Sequence, residues 1–203
     1  MERDPERRLF DGPTDAEVIA SVLGGQTEAF GQLVARYQRS LYRHAVAMVL
    51  DHDAAADMVQ DAFVRAYTRL RDCREPERFR AWIFQTLRNR CLDYLKEAQR
   101  RTVTLDAASD VEDGADGPGV LVERSRLRSE IARALAQLPA AQREAFVMHY
   151  VDGMPYEAMA ELLGTSISAM KMRALRAREL LIARLRPANV TGVEGVSSVL
   201  QTP

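Results

Sequence analysis

The sequence predicts an all-α protein of two small helical domains joined by a flexible acidic linker, the second domain ending in a helix-turn-helix. Three observations carry this. Of 203 residues, 47% are apolar but only 6% aromatic, and Ala, Leu, Arg and Glu abound, a composition suited to helices packed on helices. Apolar residues recur at three- and four-residue intervals over long stretches, and no convincing run alternates as a strand would. Between residues 102 and 123 that pattern breaks: six acids, three glycines, one proline and no Lys or Arg. A segment so charged and so poor in apolar surface cannot offset the entropy of folding by itself.

The opening residues, 1–14, have no apolar signal core and are expected to be disordered. The first helical unit spans 15–101. Phe30, Leu33, Val34, Tyr37, Leu41, Tyr42 and Ala45 share one helical face, and Val59, Phe63, Ala66, Tyr67 and Leu70 share another. A third helix runs from Phe79 to about Arg100. The intervening RDCREPERF, 71–79, is marked as a loop by Pro76 and its dense charge.

The second unit, 124–186, carries eleven basic residues and six acids, a net basic balance that suits a nucleic-acid binder although the whole chain has a formal charge of −1. Leu127, Ile131, Leu135 and Leu138 form a stripe ending at Pro139. Phe146, Val147 and Tyr150 form another, ending at Gly153. Met159, Ala160 and Leu163 then share a helix face that Gly164 ends in a left-handed cap, with the small Ala160 where two helices would cross. Thr165 and Ser166 are positioned to cap a second helix with Met170, Ala174, Ala177 and Leu181 as its inward stripe. Ser168, Lys171, Met172, Leu175 and Arg176 point outward, and Arg173 and Arg178 flank them. That arrangement predicts a helix-turn-helix entering a DNA major groove, although a basic helix face is also consistent with simple solvation. The residues after Pro187 lack helical periodicity, and the 187–203 tail is expected to be disordered.

Two further faces carry candidate chemistry. On the helix after Phe79, Gln85, Arg88, Asn89, Leu92, Lys96 and Arg100 lie opposite Ile83, Leu87, Cys91, Tyr94 and Leu95. Amides that bond base edges, cations that hold phosphates, and the nearby Phe79 and Trp82 suit DNA with exposed bases, while aromatics at such places are more often core. On the preceding helix, Asp57, Gln60, Asp61 and Arg65 form a face suited to docking a protein.

Several chemistries find no support. DHDAAADMVQDA lacks the glycine and terminal acid of a calcium loop. Cys73 and Cys91 have neither a CxxC pattern nor a histidine pair, so no zinc site or disulfide framework is expected. His44, His52 and His149 fit no catalytic spacing. Neither an enzyme nor a cofactor is expected, no run is apolar enough to insert in a membrane, and the default compartment is the cytoplasm.

Three segments in order, ADMVQDAFVRAY, FRAWIFQTLRNRCLDYLK and LPAAQREAFVMHYVDGMPYEAMAELLGTSISAMKMRALRAREL, resemble the extracytoplasmic-function sigma factors of bacterial RNA polymerase. The resemblance covers about 14–186. It implies a region-2-like domain at 15–101, an acidic linker at 102–123 and a region-4-like domain at 124–186. It implies docking on core polymerase, β and β′, through Asp57, Gln60, Asp61 and Arg65. It implies −10 DNA contacts by Arg74, Glu75, Arg78, Phe79, Trp82, Arg88, Asn89 and Lys96, with a flipped base held within 74–79. It implies −35 contacts by Ser168, Lys171, Met172, Arg173, Arg176 and Arg178, and restraint by a separate anti-sigma partner. Pro155, Met172 and Ala169 depart from the family's usual pattern, the last two at positions that bear on base preference. A sigma-like decoy that sequesters an anti-sigma factor, and a one-piece helix-turn-helix regulator, are the competing readings. The basic outer face speaks against the first, and the docking face with the acidic tether against the second.

Overall fold

The computed structural model describes residues 12–104 and 129–185. The expected linker, beyond the helical residues 102–104, and the 187–203 tail lie outside the described residues. The described residues are helical, with no strand among them.

Helix α1, Asp15–Leu23, was not singled out by periodicity, yet its start is well specified. Thr14 and Glu17 form a capping box: the Thr14 amide donates to the Glu17 carboxylate at 2.7 Å, and the Glu17 amide donates to Thr14 Oγ1 at 3.3 Å. Pro13 O also accepts from Arg36 Nη2 at 2.7 Å, which ties the residues before α1 to the first unit. Val18, Ile19 and Val22 turn inward.

The first unit is completed by α2, Phe30–Val49, α3, His52–Thr68, and α4, Phe79–Thr104. Helix α2 ends on Leu50, a non-glycine residue held left-handed at φ 61°, and Asp51 at once caps α3 by accepting from the Ala54 amide at 2.9 Å. A sharp corner results, and α3 returns along α2. Leu33, Leu41, Met48, Ile83 and Leu87 are fully buried, each contributing about 2 kcal/mol of transfer free energy. Ala55, Ala62 and Ala66, also fully buried, place no bulk between α3 and its neighbours. Two short 3-10 turns, Leu70–Asp72 and Pro76–Arg78, shape the loop before α4.

The second unit begins with helical residues 129–136 (α5). Helix α6, Ala140–Phe146, follows Pro139 and widens into a π-helical turn, Val147–Val151. Helices α7, Tyr156–Leu163, and α8, Ile167–Leu185, complete it. Ala145, Met148, Met159, Ala160, Met170 and Ala174 form a compact core of their own around the α7–α8 corner.

The two units share a larger core. Ala45 and Met48 of α2 and Phe84 and Leu87 of α4 belong to the same buried cluster as Ile131, Phe146, Val147 and Val151. Arg143 holds this seam together from the inside. Its Nη1 donates to Met48 O at 2.7 Å and its Nη2 to Ala136 O at 2.9 Å, so one buried guanidinium satisfies carbonyls left over at the ends of both α2 and α5. A cation at two helix C-termini is also favoured by both macrodipoles.

Replacing Arg143 with Met should leave both carbonyls unpaired in the interior and cost at least about 2 kcal/mol. A urea melt followed by circular dichroism measures this; an unchanged midpoint would contradict the role given to the guanidinium.

Candidate nucleic-acid interface

Three surfaces carry the residues singled out from the sequence. The first is the outer face of α8. Gly164, at φ 58° and ψ 40°, closes α7 with its amide reaching Ala160 O and Glu161 O, and Ser166 Oγ accepts from the Ala169 amide at 3.1 Å to open α8. Met170, Ala174, Ala177 and Leu181 are buried as the stripe requires. Ser168, Lys171, Met172, Arg176 and Arg178 consequently point to solvent, while Arg173 is half-buried. Lys171 Nζ lies 5.8 Å from the centre of the Tyr156 ring, which restrains an otherwise mobile cation. Tyr156 in turn stacks on His149, with ring centres 4.0 Å apart. Met172 and Leu175 add exposed apolar surface, 46% and 41% accessible, among these polar groups.

The second surface combines α4 with the loop before it. Arg74, Glu75, Arg78, Asn89 and Lys96 are exposed, and Trp82 and Arg88 are half-buried. Phe79 corrects the expectation of a DNA contact: it is fully buried, lying between Tyr37 and Trp82 with both ring pairs centred 5.8 Å apart. It supports Trp82 instead. The phenol of Tyr37 donates to Asp15, so α1 braces the base of this aromatic stack. Burial, with the Asp15 contact adding to it, pushes the Tyr37 phenol well above its ordinary range.

Three cations of this second surface are already engaged. Arg78 pairs with Glu75 at 3.2 Å and also with Glu161 of α7. Arg88 is gripped through two nitrogens by Glu144 of α6, Nη2 to Oε2 being 3.2 Å and the other contact shorter. Lys96 lies 3.4 Å from Asp93.

The third surface is the outer face of α3. Asp57, Gln60 and Arg65 are exposed. Asp61 is less free than its spacing suggested, because it binds both Arg65 at 3.1 Å and Arg90 of α4 at 2.6 Å. Val64 is 55% exposed and Tyr67 43%, so the face offers apolar as well as polar surface. Tyr67 still packs edge-on against Phe30, ring centres 5.1 Å apart.

Sequence reasoning missed the groups between the two units. His44 Nδ1 and Asp152 Oδ2 meet at 2.7 Å with side chains 3% and 1% exposed. Burial alone would lower the imidazole pKa, but the Asp152 charge and hydrogen bond, aided by Glu144, outweigh it and the net shift is upward. Glu144 is 4% exposed as a side chain. The only local signal for these contacts was charge inside an otherwise apolar stretch, AAQREAFVMHYV.

Among the described residues no group of three or more His, Cys, Asp or Glu is arranged to hold a metal ion, and no helix is long and apolar enough to cross a membrane.

Comparison with known proteins converges on one family. The family model "Sigma-70 region 2" matches residues 33–101 and "Sigma-70, region 4" matches residues 128–181. The chain is 34% identical to RNA polymerase sigma factor NccH of Alcaligenes xylosoxydans xylosoxydans, over 90% of this chain and 100% of that one. It is 28% identical to the ECF RNA polymerase sigma-E factor of Escherichia coli K12, over 86% of this chain and 95% of that one. Among solved structures, CnrH in complex with the cytosolic domain of CnrY superposes with a TM-score of 0.64 at 30% identity, covering 86% of this chain and 98% of that one.

The α7–α8 corner depends on its glycine for backbone conformation alone, since a Cβ there would meet nothing within 4 Å. Gly164→Ala should lower stability by about 1 kcal/mol, and Gly164→Asn by distinctly less. Thermal melts of the two variants check this; equal losses would contradict it.

Proposed function

The chain belongs to the extracytoplasmic-function sigma factors of the sigma-70 family, and from that premise we propose how its three surfaces direct promoter-specific initiation by RNA polymerase. The protein recruits core enzyme to chosen promoters and reads DNA. Its own chemistry is binding, with no catalytic step, and its place of work is the cytoplasm, where core polymerase and promoters meet.

The observation that carries this reading is the pairing, in one chain, of two separate DNA-suited faces with a third face suited to protein. On α3, Asp57, Gln60, Asp61 and Arg65 dock on the clamp of core polymerase. Val64 and Tyr67 add apolar area to that contact, and the Asp61–Arg90 bridge couples the docking helix to the reading helix α4. On α4, Asn89 bonds base edges of the −10 strand, Arg88 and Lys96 hold its phosphates, and Trp82 stacks a base. Arg74, Glu75 and Arg78 border the place where an unpaired base is captured.

Helix α8 reads the −35 element. Its capped N-terminal end leads into the major groove, with Ser168, Lys171 and Met172 nearest the bases and Arg173, Arg176 and Arg178 toward phosphates. Met172 and Leu175 suit thymine methyl groups, the apolar feature of that groove. A domain at 15–101, an acidic linker at 102–123 and a domain at 124–186 let both readers reach one promoter. An anti-sigma factor is a further partner on this reading. The solved relatives pair CnrH with CnrY and RpoE with NepR of Bartonella quintana, and the exposed apolar groups on α3 and α8 offer contacts on both units.

Run-off transcription with purified core polymerase across a genomic promoter pool tests the function. The protein should produce transcripts sharing one pair of upstream elements, and Asp61→Lys should abolish both transcripts and co-purification with core without unfolding the chain. Full activity of that variant would overturn the docking assignment. For the −35 reader, Arg176→Ala should weaken binding to a promoter duplex and reduce the log–log salt slope by about one. An unchanged slope would remove Arg176 from the phosphate contacts.

A further inference from the structure

The surface proposed to read the −10 element rests on a helix that lies outside the segment matched by the region 2 family model. That match begins at residue 33, whereas α1 spans Asp15–Leu23. We propose that α1 is a working part of the −10 reader, with Asp15, Tyr37 and Phe79 as positioning residues that hold Trp82 and the 74–79 loop ready for an unpaired base. The proposal rests on the −10 reading of Trp82 and of that loop given above. It assigns a role to three side chains that act on DNA only through another residue.

A continuous series of contacts runs from α1 to the stacking ring. Asp15 accepts from both the Tyr37 phenol and the Arg36 guanidinium, and Arg36 Nη2 donates to Pro13 O at 2.7 Å, so the start of α1 is clamped to α2 at two points. The Tyr37 ring meets Phe79 and Phe79 meets Trp82, each pair tilted by 48°. Phe79 is fully buried, and in a close-packed interior it cannot turn without displacing one ring or the other. Trp82 is half-buried and takes its orientation from the rings beneath it. Burial, with Asp15 adding to it, keeps the Tyr37 phenol protonated, so it remains a donor to the carboxylate.

The same helix lies behind the loop. Helix α1 packs against both 3-10 turns, Leu70–Asp72 and Pro76–Arg78, and its Val18, Ile19 and Val22 belong to one buried cluster with Leu70, Cys73 and Phe79. Arg74, Glu75 and Arg78 of the loop are exposed. The loop is thus anchored on α1 and open to solvent where a base would arrive. Each side chain that a captured base must order weakens its binding, and a platform ordered beforehand removes that cost. A brace needed for stability alone would serve every surface equally; this one converges on Trp82 and the loop.

Trp82 is the chain's sole tryptophan, so its emission reports this platform directly. Tyr37→Phe removes the hydroxyl and keeps the ring, while Asp15→Ala removes the shared acceptor and leaves the Thr14–Glu17 capping box in place. In the isolated full chain both variants should show faster local depolarisation of Trp82 emission and readier quenching by acrylamide, with helix content unchanged by circular dichroism. Tyr37→Phe decides the matter where Asp15→Ala loses helix content. The holoenzyme formed with purified core polymerase is then titrated with two fluorescent probes. One is a single-stranded oligonucleotide carrying the −10 sequence found by run-off transcription, and the other is a duplex carrying the −35 element alone. Both variants should bind the oligonucleotide roughly threefold to tenfold more weakly and the duplex as the parent does. Trp82→Ala is the reference. If it weakens oligonucleotide binding while Tyr37→Phe and Asp15→Ala do not, the positioning role is overturned and the −10 reading stands. If Trp82→Ala has no effect, the −10 reading of Trp82 fails and the proposal falls with it. Equal weakening of both probes in Tyr37→Phe would also overturn it, marking Tyr37 as a residue of general stability.

Discussion

One buried guanidinium sets the arrangement on which the rest depends. Arg143 stands where α2 and α5 both end, and an arginine is the side chain able to donate in two directions from one planar group. By tying Met48 O to Ala136 O it fixes the second unit against the first. The polar neighbours then follow. The π turn after α6 carries Asp152 to His44, α6 itself carries Glu144 to Arg88, and α7 brings Glu161 to the loop at Arg78. The apolar cluster running across the seam supplies area, whereas these polar contacts supply register. Hydrophobic burial alone would tolerate sliding; a guanidinium on two carbonyls does not.

The seam supplies carboxylate partners to Arg78 and Arg88, while Arg90 and Lys96 find theirs within the first unit. Arg78, Arg88, Arg90 and Lys96 all lie on or beside the surface proposed to read the −10 element, and all have carboxylate partners. The α8 face differs, because Lys171, Arg176 and Arg178 are exposed there.

Much of the fold was legible because helical periodicity is a local property. The stripes of α2, α3, α4 and α8 appear in the structure as mostly buried faces, Tyr67 of α3 being exposed instead, and Gly164 and Ser166 cap the corner as their chemistry suggested. The Thr14–Glu17 capping box was equally readable and passed unread, because α1 is too short to display a long stripe. Phe79 was misplaced because an aromatic beside a basic loop fits a stack or a core equally well, and only the positions of Tyr37 and Trp82 decide between them. The seam was illegible for a different reason. Arg143 and Glu144 occur in a stretch where charge ordinarily signals solvent, and their partners stand 95 and 56 residues away. No local pattern encodes a contact at that separation.

The most direct test of the seam is the titration of His44. The chain has three histidines, so their imidazole resonances can be followed individually by NMR and assigned by substitution. The structure places one of them against a buried carboxylate, with its pKa raised above the ordinary value. The account predicts that the His44 midpoint in the isolated chain lies above those of the model imidazole and of the same residue in Asp152→Asn. A His44 that titrates at the ordinary value, and does so regardless of residue 152, would mean that the two units do not meet as described and would contradict the account at its base.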